Sequence, residues 1–247
     1  MSDTDYRLEE RFTCLLNGFS CDVAYGELER ISEIEGVAGV YIANSYDAPS
    51  LEVKKEARQN VADALTGNDF MQKQGFDGRG TVVAVLDTGL NTGHEAFQDV
   101  PGYASQYGAL KEEDVKNART GVRGRYLSAK VPFAYDYADK DTDVTDSGGH
   151  GTHISGIAVG LTAIAQPDGG YETVFSGAAP AAQLLSMKIF KDSGGGTYTD
   201  LYFRALEDAY VLGADVINLS IGSPNGFTYG PRLETEVFGN IYKRLSN

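Results

Sequence analysis

The sequence predicts an α/β protein in which a parallel β-sheet carries helices on both faces, preceded by a small α+β unit. Three observations carry this prediction. Short runs rich in Val, Ile and Leu recur at Val82–Leu86, Gln183–Ile189 and Asp215–Leu219 without strict alternation, as expected of strands covered on both sides. From Gly67 onward such runs alternate with helical stretches, the pattern of a wound parallel sheet. Between the last two runs lies a helix of about 13 residues, with Thr199 as N-cap, Tyr202, Leu206 and Ala209 on one stripe and Gly213 at the C-terminal cap.

The remaining elements follow in chain order. Residues 11–23 read as extended chain around Asn17-Gly18, residues 26–35 as a helix on Leu28, Ile31 and Ile34, and Val37–Ile42 as a second strand. That unit, residues 8–47, is too short to bury much surface alone and is expected to fold against something larger. Residues 48–66 are polar, with Pro49 near their start, and read as a linker or surface helix. Residues 67–247 form the main α/β unit, and Leu233–Leu245 reads as a helix leading into a further parallel strand. Cys14 and Cys21 match no zinc framework and are expected as two free, largely buried thiols.

Composition excludes several function classes. A net charge of −14 and a pI near 4.6 argue against nucleic-acid binding, which draws on Lys and Arg to displace counterions from phosphates. No run of about 18 apolar residues occurs, so no membrane-spanning helix is expected. Residues 1–10 carry five charges and lack the apolar stretch of a secretory signal, so export is expected to depend on sequence outside these 247 residues.

The chemistry concentrates at two segments. Val82-Val83-Ala84-Val85-Leu86-Asp87-Thr88-Gly89 puts a carboxylate at the end of a buried strand, the edge where open parallel sheets place functional groups. Gly149-His150-Gly151-Thr152-His153 opens a run of small and apolar residues that reads as a buried helix, with glycines that permit close backbone approach. The order Asp then His is one of the known triad orders, with the serine last. Three rival readings fail. A zinc site at His150 and His153 lacks the glutamate and the i,i+4 spacing, so His153 is expected as a satisfied structural histidine. Asp87-Thr88-Gly89 with Asp146-Ser147-Gly148 mimics an aspartic-protease pair, but no apolar strand delivers Asp146. Asp139, Asp141 and Asp143 open like a calcium loop, yet Val144 and His150 stand at its sixth and twelfth positions.

The blocks around Asp87, His150-Gly-Thr-His, Gly177-Ala-Ala-Pro180 and Asp215-Val-Ile-Asn218-Leu-Ser220-Ile-Gly222 resemble, in order, those of the subtilisin-type serine proteases. Within that family, Leu15–Cys21, the helix after it and the long insertion between Asp87 and His150 resemble the cell-envelope proteinases of lactic-acid bacteria and related streptococcal peptidases. The resemblance implies a secreted or cell-envelope bacterial endopeptidase acting on protein and peptide substrates, needing no cofactor for its chemistry, with structural calcium as an option. It implies Asp87 and His150 as catalytic residues. It further implies a substrate cleft with Ser220, Ile221 and Gly222 on one wall and Ser193, Gly194, Gly195 and Gly196 on the other, with Tyr198 bordering a more distant subsite. Residues 8–47 would be the latter part of a propeptide whose tail, Tyr41–Asp47, lies in the cleft, and maturation would cut between about 46 and 66.

Two departures accompany the resemblance. A family calcium-ligating Asp would fall near Ala96 in His94-Glu95-Ala96-Phe97, and neither an oxyanion Asn nor a Gly-Thr-Ser nucleophile segment occurs in the 247 residues. The expectation is therefore a fragment truncated at both ends, missing the C-terminal half of the catalytic domain as a partner and inactive without it. The alternative is a non-catalytic pseudoprotease that binds peptides or a partner.

Overall fold

A computed structural model describes residues 6–50, 66–100, 103, 108–222 and 232–245. The chain opens with β1 (Arg7–Phe12) and β2 (Gly18–Asp22), an antiparallel pair. A 3-10 turn at Tyr25–Glu27 leads into the short α1 (Leu28–Ser32), and β3 (Ser45–Tyr46) follows. Next come α2 (Asn68–Lys73), β4 (Val82–Asp87), a 3-10 turn at Glu95–Phe97, α3 (Glu112–Asn117) and β5 (Phe133–Asp136). Helix α4 (His150–Val159) precedes the antiparallel pair β6 (Leu161–Ala165) and β7 (Tyr171–Ser176). The chain then runs through β8 (Gln183–Lys188), β9 (Thr197–Tyr198), α5 (Thr199–Val211), β10 (Val216–Leu219) and α6 (Arg232–Leu245).

The central sheet has the order β10-β4-β8-β5, and every pairing in it is parallel. Its two inner strands, β4 and β8, are buried along their whole length because both faces are covered. Val82, Ala84 and Leu86 of β4 point into one core with Leu185, Met187 and the apolar residues of α5. Val83 and Val85 point into a second core with Leu184, Val159 and Leu90. Successive side chains of a strand face opposite ways, so an unbroken apolar run is what a doubly covered strand needs. Burying each such side chain contributes about 1.5–3 kcal/mol, which makes β4 and β8 the most secure part of the fold.

Helix α5 is buried almost all round, and three of its buried side chains are charged: Arg204, Glu207 and Asp208. Each is paired, as burial demands. Arg204 Nη2 donates to Asp208 Oδ1 at 2.7 Å, and its Nη1 donates to the carbonyl of Arg11 at 2.6 Å. Glu207, 1% exposed, accepts the backbone N–H groups of Thr13, Cys14, Leu15 and Leu16 at 2.6–3.3 Å. The β1–β2 hairpin thus docks on α5 through its connecting turn. Asn240 of α6 donates to the carbonyl of Leu15, and Lys140 pairs with Glu9 at 2.7 Å.

Several expectations need correction. Val37–Ile42 is not a strand: its backbone has no ladder partner among the described residues, and Tyr41 and Ile42 are exposed. β-branched residues favour a strand only where a neighbouring strand exists to pair with. The helix expected over 26–35 is confined to a 3-10 turn and five residues. Thr199 is the first helical residue rather than the N-cap, and its hydroxyl accepts the N–H of Asn44 instead. Gly213, at φ 74, does take the left-handed cap conformation expected of it. Cys14, in the connecting turn of the hairpin, and Cys21, in β2, form no disulfide and are half-buried. The linker assigned to residues 48–66 lies mostly outside the described residues.

Candidate active site

Strand β4 ends on Asp87, which pairs with Lys188 of β8; its carbonyl accepts the N–H of Ile189 at 3.0 Å. His150 is the first residue of α4, reached through Gly149 at φ 76, a conformation that favours glycine. The helix approaches the end of β4 more closely than any side chain at position 151 would allow. A Cβ on Gly151 would lie 2.3 Å from the carbonyl oxygen of Gly89 and 3.2 Å from Asp87 Cβ.

That approach brings His150 Nδ1 to 2.8 Å from Asp87 Oδ1. The carboxylate side chain is 1% exposed and the imidazole 16%. Because an ionised carboxylate only accepts hydrogen bonds, Nδ1 carries the proton and Nε2 is left as the basic nitrogen. Asp87 Oδ1 also accepts the N–H of Thr88 at 2.6 Å, while its Oδ2 is buried with no hydrogen-bond partner among the described residues. A buried, half-satisfied carboxylate costs stability, and such a cost is typical of functional sites.

Asp146 fastens the two segments together. Its Oδ1 accepts the hydroxyl of Thr88 at 2.8 Å and the N–H of Gly149 at 2.9 Å. Its Oδ2 accepts the N–H and hydroxyl of Thr152 at 2.8 and 2.7 Å. Burial alone would raise its pKa, but the bonds from Thr152, Thr88 and Gly149 outweigh it and hold the carboxyl below its ordinary value. Asp146 therefore reaches the Asp87 loop through Thr88, as a clamp on the helix start. It was legible as a capping carboxylate four residues before His150, a signal that the acidic run around it masked.

The other predicted residues fall on two segments after β8 and β10. Ser220, Ile221 and Gly222 follow β10 at the same sheet edge as Asp87, with the N–H of Ser220 donating to the carbonyl of Leu86 at 3.3 Å. Ser193–Gly196 form an irregular, largely exposed turn with Gly194 at φ 78, and Tyr198 lies in β9. Strand addition does occur beside them, displaced by a residue or two: β3 pairs antiparallel with β9, Ser45 opposite Tyr198 and Tyr46 opposite Thr197. Gly196 is contacted directly, since a Cβ there would lie 2.1 Å from the carbonyl oxygen of Tyr46.

His153 is exposed on the outer side of α4, two residues from both Gly151 and Ser155 and so opposite the face that packs on the sheet, which does not fit a structural histidine. The third histidine, His94, accepts the N–H of Ala96 with Nδ1 and caps the Glu95–Phe97 turn. Ala96 itself is buried in an apolar cluster and offers no ligand. Asp136, Asp139 and Asp192 do bring carboxylate oxygens within 4.8 Å of one another. Lys188 Nζ lies 2.8 Å from Asp136 Oδ2 and also pairs with Asp192, so an ammonium already supplies much of the charge that a calcium ion would bring.

The family Peptidase S8, Subtilase family, matches residues 78–243, which include both Asp87 and His150. The chain belongs to the subtilase family. It is 34% identical over 225 residues to the PII-type proteinase of Lacticaseibacillus paracasei, covering 88% of this chain and 11% of that one. It is 34% identical over 223 residues to the PI-type proteinase of Lactococcus lactis subsp. cremoris, with the same shares covered. It is 35% identical over 184 residues to the C5a peptidase of Streptococcus pyogenes serotype M3, covering 73% of this chain and 15% of that one. The subtilase sequence here thus spans about one ninth of the length of the first two relatives. Among solved structures it is similar to MycP1 with its N-terminal propeptide removed, at 25% identity and a TM-score of 0.41, over 73% of this chain and 43% of that one.

Proposed function

We propose that the protein is a serine endopeptidase of subtilisin type in which Asp87 and His150 are two members of the catalytic triad. The observation that carries this reading is the 2.8 Å contact between His150 Nδ1 and the buried Asp87 carboxylate at the C-terminal edge of a parallel sheet. His150 Nε2 takes the proton from a serine hydroxyl as that oxygen attacks the peptide carbonyl, then returns it to the leaving amine. Asp87 fixes the tautomer and offsets the charge of the imidazolium. The serine and the oxyanion-hole asparagine come from chain outside the 247 residues, together with the rest of the specificity pocket, so residues 1–247 alone do not hydrolyse peptides.

Residues 8–47 act as the latter part of a propeptide, residues 48–66 carry the maturation site and residues 67–247 belong to the catalytic domain. Docking of the hairpin on α5 and pairing of Ser45–Tyr46 with β9 support an inhibitory tail held as an extra strand in the substrate cleft. The cleft walls are Ser193–Gly196 with Tyr198 and Ser220–Gly222. The relatives support a site of action outside the cell or at its envelope. Calcium, if bound, is structural, and no step of the chemistry passes through it.

Labelling of the whole protein with a fluorophosphonate probe, which reacts only with an activated serine, tests the assignment. Labelling is expected in the matured protein and absent from His150→Ala. A matured, folded protein that is never labelled would overturn it.

A further inference from the structure

We infer that Glu234 makes the cleft selective for tyrosine, over phenylalanine or an aliphatic residue, at the substrate position that Tyr46 occupies. The inference deepens the proposed peptidase function and rests on it, since it takes the β3 segment as a stand-in for bound substrate.

Tyr46 is held in two ways. Its backbone lies in the ladder opposite Thr197 of β9, close against the bare backbone of Gly196, a form of contact open to any sequence. Its side chain, with the residue only 6% exposed, enters the core between α5 and α6. There the ring meets Tyr202 edge-on, with centroids 5.9 Å apart and planes at 73°. At the end of the pocket stands Glu234, 8% exposed, whose Oε1 accepts the hydroxyls of both Tyr46 and Tyr202 at 2.6 Å.

In strand addition the main chain supplies affinity and the side-chain pockets supply discrimination. A pocket ending in a buried carboxylate discriminates by what it leaves unpaired. Phenylalanine fills the aromatic volume but withdraws one donor from Glu234, and burial of an acceptor that has lost its partner is penalised. Tyr202 retains its own bond to the same oxygen, so the loss is partial. Leucine forfeits the edge-on ring contact as well.

The test uses the whole, matured protein and peptides of residues 41–50 as competitors of a fluorogenic substrate. The expected inhibition constants rise by about 10- to 100-fold for Tyr46→Phe, the range for a hydrogen bond to a charged group, and further for Tyr46→Leu and Tyr46→Gly. In Glu234→Leu protein the ratio between the Tyr and Phe peptides is expected to fall to about 2-fold or less, because the acceptor is gone. That ratio is read within one preparation, so a partly unfolded variant leaves it unchanged. Equal inhibition by the Tyr and Phe peptides, with the Gly peptide weaker, overturns the role of Glu234 and leaves the cleft reading intact. A Tyr46→Lys peptide that inhibits more tightly than the Tyr peptide also overturns it, assigning Glu234 to a cation. Indifference to every change at position 46, or no competition at all, removes the cleft reading and this inference with it.

Discussion

Replacing Glu207 with alanine should release the β1–β2 hairpin from α5. The carboxylate is 1% exposed and accepts four consecutive backbone N–H groups, those of Cys14 and Leu15 at 2.8 and 2.6 Å, while also pairing with Arg204 at 3.2 Å. Without it, the N–H groups of residues 13–16 lose this shared acceptor, and Asp208 is the anionic partner that Arg204 keeps among the described residues. Removing one partner from a buried, hydrogen-bonded charged set costs about 3–5 kcal/mol. At 1.4 kcal/mol per decade, the open population of the hairpin rises by about 100- to 4,000-fold. Native-state hydrogen exchange reads this directly: amides of residues 13–22 should lose protection by that factor, while those of β4 hold theirs. Glu207→Gln, which keeps an acceptor but no charge, should fall between. Unchanged protection of residues 13–22 in Glu207→Ala would refute the docking argument.

Two further outcomes follow from the same geometry. Gly151→Ala places a methyl group 2.3 Å from the carbonyl oxygen of Gly89, so α4 must retreat from Asp87; in the whole protein kcat should fall by about 100-fold with little change in KM, as for a misplacement of about 1 Å. Lys130 is fully buried, donates to the carbonyls of Pro180 and Ala182, and is pulled by burial down to a pKa of about 7 from 10.5. Between pH 7 and 10 the unfolded chain then holds a proton that the folded chain has released, so stability rises with pH across that window. Thermal midpoints measured at intervals through it should climb, and Lys130→Met should flatten the climb.

The parallel sheet was legible because burial writes itself into composition: β4 is apolar up to Asp87, and β8 and β10 keep short apolar runs at Leu184-Leu185 and Val216-Ile217. The start of α4 was legible too, since glycines on either side of His150 serve close approach rather than helix propensity. What escaped was anything decided by a distant partner. Ser45–Tyr46 becomes a strand only because Thr197–Tyr198, about 150 residues later, offers an edge, whereas the more β-prone Val37–Ile42 finds none. Nothing in the sequence marks the partners of Glu207, Glu234 or Asp146, because hydropathy counts a carboxylate the same whether it meets water or four N–H groups. The acidic stretch from Asp136 to Asp146 hid Asp146 among carboxylates of which several stay exposed.

The proposal that His150 is the general acid–base of a peptidase, oriented by Asp87, is tested most directly by kinetics of the whole protein. Hydrolysis of a fluorogenic peptide should fall by about 10⁴-fold in Asp87→Asn, where the tautomer is wrong, and by about 10⁶-fold in His150→Ala. A folded, matured His150→Ala protein that keeps its turnover within about tenfold of the parent would contradict the claim, because no triad survives the loss of its base.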